Sequence, residues 1–193
     1  MPVLKMKPEW TMGETATQVQ TTKTSLPNGK AGSYKTVEIM CGVARSRSSH
    51  PVVRELALKI LQAAGTDSQN YEDEARAIGN FVRSRVKYVR DINGVEQLHD
   101  PLTMIDQIKR GVSVGDCDDM SLLTATLLLS IGHQPFFRIV RYKGRGNGFQ
   151  HIYVVVFEKN WGKERKRIVL DCILKRHPIG TEVPHAFGED IRV

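Results

Sequence analysis

Apolar positions along this chain fall into two rhythms, and the change from one to the other divides it. From Ser49 onward Val52, Val53, Leu56, Ile60 and Leu61 recur at three- and four-residue spacing, which predicts an amphipathic helix. Ser49 is read as its N-cap, Pro51 fits its first turn and Gly65 stops it. A second helix is predicted over about 71–88, with Glu72 to Glu74 suiting the dipole of its first turn. Its stripe is Ala75, Ile78, Phe81, Val82 and Val86, with Arg85 intruding. A shorter helix is predicted over 100–111, begun by Pro101 and ended by Gly111. "VGDCDDMSLLTATLLLSIG" (114–132) then covers nearly the whole helical circumference with apolar groups, from Met120 to Ile131. A helix apolar all round is a central one. Asp116 and Gly132 are its predicted caps. Beyond it the period drops to two, predicting antiparallel strands over 135–142, 151–157 and 167–172. Helices first and strands afterwards make the fold class α+β.

Residues 1–45 lack this periodicity and are rich in Thr, Lys and Gly. They read as an extended arm or β-hairpin, with a Thr-rich strand, a Pro27-Asn28-Gly29 turn and a strand through Val37 and Ile39. The domain proper is then 46–193. So thin an apolar content requires the arm to lean on this domain or on another chain.

Composition narrows the class without naming a function. With 40% hydrophobic and 25% charged residues the chain is an ordinary globular protein. Its longest apolar runs fall far short of the roughly 20 residues that span a bilayer. The opening "MPVLKMKPEWTMGETATQ" is too polar for a leader, so a cytoplasmic or virion-associated place is expected, with no membrane span. Net charge is +7, and basic residues gather in "RYKGRG" (141–146) and "KERKR" (163–167). Both lie in loops between strands with no nucleic-acid motif beside them, so nucleic acid is not an expected partner. The basic groups beside His151 hint instead at an acidic substrate. Three cysteines, Cys41, Cys117 and Cys172, leave one unpaired in any disulfide scheme. No clustered Cys/His spacing suggests a metal, and no cofactor is expected.

Cys117 carries the candidate chemistry. At the first turn of a helix the dipole favours its thiolate, while Asp118 and Asp119 oppose that effect and also serve the helix start. A thiol nucleophile needs a base and a group to orient that base. His151 opens the strand "HIYVVVF", sharing a face with Tyr153, Val155 and Phe157. Asp171 closes the apolar strand "RIVLDC", where an unpaired carboxylate would be costly. Pairing it with His151 would satisfy both and select the imidazole tautomer. Cys117, His151 and Asp171 thus form a nucleophile, base and orienter set in chain order. His99 and His133 read as structural or exposed.

The motif "VGDCDDMSLLTATLLLSIG", with "QHIYVVV" and "RIVLDC" downstream and "FVRSRVKYVRD" and "LHDPLTMI" upstream, resembles the transglutaminase-like (papain-like) cysteine peptidase superfamily over about 50–175. The resemblance implies a cysteine-bearing helix packed on an antiparallel sheet, with Cys117 as nucleophile, His151 as general base and acid, and Asp171 as orienter. It implies a side-chain donor in the oxyanion hole, for which Gln107 and Gln97 are candidates by position. Asp118 and Asp119 become possible accessories that orient a substrate amine. The expected activity is acyl transfer from a peptide or carboxamide, as peptidase or amidase, with a protein or peptide as substrate; the same triad serves a transglutaminase. Similar sequences occur among bacteriophage proteins, which implies an alternative role as a virion component, at the tail or connector, docked through the arm.

Overall fold

The computed structural model describes residues 25–67, 70–91, 97–144, 148–158 and 166–193. Its elements in chain order are α1 (Lys30–Ser48), α2 (Pro51–Ala64), α3 (Tyr71–Arg85), β1 (Lys87–Tyr88), α4 (Pro101–Lys109), β2 (Val114–Gly115), α5 (Cys117–Ser130), β3 (Phe136–Arg141), β4 (His151–Phe157), β5 (Arg167–Leu170) and β6 (Phe187–Arg192). The fold is α+β: α5 stands at the centre, with α1, α2, α3 and α4 around it and an antiparallel sheet against one side.

The all-apolar circumference of α5 is what allows this. Leu122, Leu123, Leu127 and Leu128 are fully buried, and each such side chain stabilises the fold by about 1.5–3 kcal/mol relative to exposure. Its two buried threonines do not interrupt the core. Thr124 and Thr126 return their hydroxyls to the carbonyls of Met120 and Leu122, both at 2.7 Å. The helix ends as its sequence suggests, with Gly132 at φ 88° just past the last turn.

The first helix replaces an expected strand. Residues 30–48, including Val37 and Ile39, are helical, and Val37, Met40, Cys41 and Ala44 enter the core. Their 3-1-3 spacing is a helical stripe, which the Thr- and Lys-rich surroundings and the Pro27-Asn28-Gly29 turn obscure. The Thr-rich strand expected before Pro27 lies outside the described residues. Because α1 runs to Ser48, Ser49 caps its C-terminus instead of starting α2. His50 takes the N-cap role, held extended by Pro51, with Nδ1 accepting from the Val52 amide at 3.3 Å.

The sheet order is β5-β4-β3-β6, all antiparallel. The alternation read from β4 holds. Ile152, Val154 and Val156 face the helices, while Tyr153 and Val155 pack with Val140 and Val169 on the other side. β6 was not anticipated. Its sequence "FGEDIR" lacks an apolar face, and pairing along the whole of β3 supplies what its side chains do not. The second correction lies after α3, which stops at Arg85 and not at Tyr88. Val86 turns extended, and Lys87 and Tyr88 pair in parallel with Val114 and Gly115. That two-residue ribbon runs directly into the start of α5. The Trp161 turn and most of the basic 163–167 cluster lie outside the described residues. Among the described residues, no helix is long and apolar enough to cross a membrane.

Candidate active site

Asp116 sets where α5 begins. Its carboxylate accepts from the amides of Asp118 (2.9 Å) and Asp119 (3.4 Å), while the Asp119 carboxylate accepts from the Asp116 amide at 3.2 Å. This reciprocal capping box occupies the first turn. It leaves the Cys117 amide, at the first helical position, with no partner among the described residues.

Asp119 is structural. Fully buried, it accepts from the backbone amide of His99 at 2.7 Å and lies 2.8 Å from His99 Nδ1. One carboxylate therefore ties the segment before α4 to the start of α5. Gly115 packs against it so closely that a Cβ there would sit 2.7 Å from Asp119 Cβ. The His99 ring is held charged above its ordinary range, chiefly by this hydrogen bond. His133 is likewise structural, buried with Nε2 at 2.7 Å from Glu74.

Two strand ends meet beside the helix start. β5 stops at Leu170, opposite Val154, so the first residues of β4 are uncovered on that side. Ile152 uses this opening to reach α5. Its carbonyl accepts from Ser121 Oγ at 3.2 Å, one turn beyond Cys117, and its amide favours the Cys117 thiolate. Next to Ile152 in the chain, His151 is buried at 7% exposure, its Nε2 2.7 Å from Oδ2 of Asp171 at 4%. A carboxylate can only accept, so Nε2 carries the proton, and in the neutral ring the lone pair is on Nδ1. Asp171 Oδ1 is held in turn by the Ile173 amide at 3.2 Å. Tyr142 and Tyr153 flank the imidazole, with ring centroids 6.5 and 5.5 Å away.

The balance left open at Cys117 resolves against a resting thiolate. Burial raises the thiol strongly, and the charges of Asp118 and Asp116 add to that, while the Ile152 amide pulls the other way. The thiol proton points to Asp118 Oδ1 at 3.4 Å. Cys41 and Cys172 are also raised by burial, Cys172 to about 12. Asp116, Cys117 and Asp118 bring three potential metal-ligating atoms within 4.8 Å of one another. Their hydrogen bonds already account for the grouping: Asp116 holds two amides and Asp118 the thiol.

The Gln107 side-chain oxygen accepts from Ser113 Oγ at 3.4 Å, and Gln97 is exposed. Sequence reading missed Tyr88, which the β1–β2 ribbon places opposite Gly115 at 40% exposure. Partial burial first, and the neighbouring Cys117 and Asp116 after it, raise its phenol. A strand of two residues leaves no periodic signal by which to find it.

No family model and no curated protein matches the chain. A solved structure from Cytophaga hutchinsonii, named "Putative Cysteine Protease", is similar over 72% of this chain and 41% of its own, with a TM-score of 0.42 and 14% identity. The chain spans about two fifths of that protein's length.

Proposed function

We infer that this chain is a thiol-dependent acyl-transfer enzyme, a cysteine peptidase or amidase of transglutaminase-like (papain-like) type, working through Cys117, His151 and Asp171. One observation carries the reading. A buried imidazole is locked by a carboxylate on Nε2, and the carbonyl of the next residue accepts from Ser121, one turn along the helix that Cys117 starts. Structural cysteines do not need that company.

Because burial and two carboxylates hold Cys117 as a thiol at rest, the reaction starts by general base catalysis and not from a stored ion pair. Sγ attacks the carbonyl carbon of a peptide or carboxamide while its proton passes to His151 Nδ1. The carbonyl π electrons move onto oxygen, where the uncommitted Cys117 amide is available to donate. Collapse of this tetrahedral adduct breaks the C–N bond. His151 then gives its proton to the departing amine and leaves a thioester on Cys117. Water, deprotonated by His151, attacks the thioester and returns the thiol. Asp171 keeps the imidazole in the required tautomer and stabilises its charged form. Asp119 belongs to the scaffold, and Asp118 adds to the burial that keeps the thiol protonated.

The test is covalent capture. A panel of peptidyl acyloxymethyl ketones should modify Cys117 ahead of Cys41 and Cys172, read by intact mass and peptide mapping. Modification should fall at least a hundredfold in His151→Ala. Labelling spread evenly over the thiols, or indifferent to His151, would overturn the reading.

A further inference from the structure

We propose that the cleft between the β1–β2 ribbon and the turn after Asp171 binds an acidic side chain of the peptide substrate. This rests on the acyl-transfer reading above and adds the chemistry of what is recognised. The cleft, about 210 Å3, is lined by Arg85, Lys87 and Lys175, together with Ser113 and Val114. Three cations line it and no carboxylate does. Among the described residues none of the three has an ion-pair partner, unlike Arg76 in the same helix as Arg85. Arg85 rests over the Phe81 ring at 5.9 Å, which orients the guanidinium without neutralising it.

Two stretches of its lining lead along the chain to the reacting groups. From β2 the chain passes through Asp116 to Cys117, and the turn bearing Lys175 continues directly from Asp171. That turn is anchored, since Arg83 donates to the His177 carbonyl at 2.6 Å and the Lys175 amide donates to Ile173 at 2.8 Å. At about 3.3 Å per extended residue, Val114 lies roughly 10 Å from Cys117. An extended peptide with its scissile carbonyl at Cys117 would therefore place a side chain two or three residues away against Lys87 and Lys175. Gathering unpaired positive charge so near the carboxylates of Asp116 and Asp118 makes this end of the molecule bipolar. An acidic side chain is thereby drawn to the cleft and repelled from the cysteine.

The experiment uses the full chain as Cys117→Ala, so that nothing turns over. A fluorescein-labelled octapeptide with two glutamates, and its counterpart with lysines in their place, are titrated by anisotropy at low salt. The glutamate peptide should bind at least fivefold more tightly, and the preference should fade at 0.5 M salt. Lys87→Glu with Lys175→Glu should remove at least fivefold of that affinity, while Lys35→Glu, a charge reversal on α1, should not. Both cleft positions are exposed; if the double variant melts early, the single variants Lys87→Ala and Lys175→Ala should each show a smaller loss. Equal binding of the two peptides, or indifference to the cleft substitutions, overturns the proposal. So does tighter binding of a labelled single-stranded oligonucleotide that displaces the peptide. Selective glutamate binding without ketone capture at Cys117 would remove the enzyme reading and leave the cleft. Capture without glutamate preference would do the reverse.

Discussion

His151 Nε2 and Asp171 Oδ2 lie 2.7 Å apart, buried at the ends of antiparallel neighbours β4 and β5. Neither group would be tolerated there alone. A lone buried carboxylate pays a large desolvation cost, and a lone imidazole could rotate or take the wrong tautomer. Together they present Nδ1 in a fixed orientation.

Asp171→Asn should separate this role from stability. The amide oxygen can still accept from one neighbour, so the melting temperature should change by only a few degrees. Turnover of a peptide substrate should fall at least about a hundredfold, mostly in kcat. Asp171→Ala should in addition cost about 1–3 kcal/mol, because His151 and the Ile173 amide lose their acceptor. A wild-type kcat in Asp171→Asn would remove Asp171 from the reaction.

Asp118 is expected to restrain the thiol. Burial is the largest cause of the raised Cys117 pKa and Asp118 the next. Removing one charge worth about 1 kcal/mol is close to one pKa unit, or roughly five- to tenfold more thiolate at any pH below the transition. Asp118→Asn should therefore speed iodoacetamide modification of Cys117 by that factor at pH 8 and leave Cys41 and Cys172 as they were. An unchanged rate would mean that burial alone sets the thiol.

Asp116 makes a pH prediction. Burial first, and the charge of Asp119 second, raise it from 3.8 to about 6. A carboxyl raised on folding favours the native state below its unfolded value, and that contribution is lost as pH rises through the folded one. Asparagine caps helices as well as aspartate does. The melting temperature of Asp116→Asn relative to wild type should accordingly climb between pH 4 and pH 7. A difference that shrinks over that range would show that the capping amides outweigh the desolvation.

Asp119 should behave as a keystone. Asp119→Ala strands the His99 amide, the His99 ring and the Asp116 amide, at about 3–5 kcal/mol, or roughly 6–20 °C for a chain of this size. Gly115→Ala should mimic part of that loss through the clash with Asp119 Cβ. Thermal melts of both variants decide the point. If Asp119→Ala melts like wild type, the carboxylate is not the tie between the His99 segment and α5.

The limits of the linear chain show best in α1 and β6. Val37, Met40, Cys41 and Ala44 do carry a helical stripe, yet a turn signal and β-branched neighbours argue locally for a hairpin. The preference of a short segment is worth tenths of a kcal/mol per residue, and burial against α5 outweighs it. In β6, "FGEDIR" has no face to read, since its partner β3 decides it through backbone hydrogen bonds that any residues could make. The β1–β2 ribbon is too short for any period, so Tyr88 and the cationic cleft could not be anticipated.

The amino-acid order by itself determined the central helix, its start at Asp116, the two faces of β4, and the need of Asp171 for a partner. Each of these follows from periodicity or from the cost of burying a charge, which act within one segment. Tertiary structure alone decided how acidic the cysteine is, which of its neighbouring aspartates is scaffold, and where the unpaired cations converge. Those are set by desolvation and by charges on other elements, and neither exists until the segments meet.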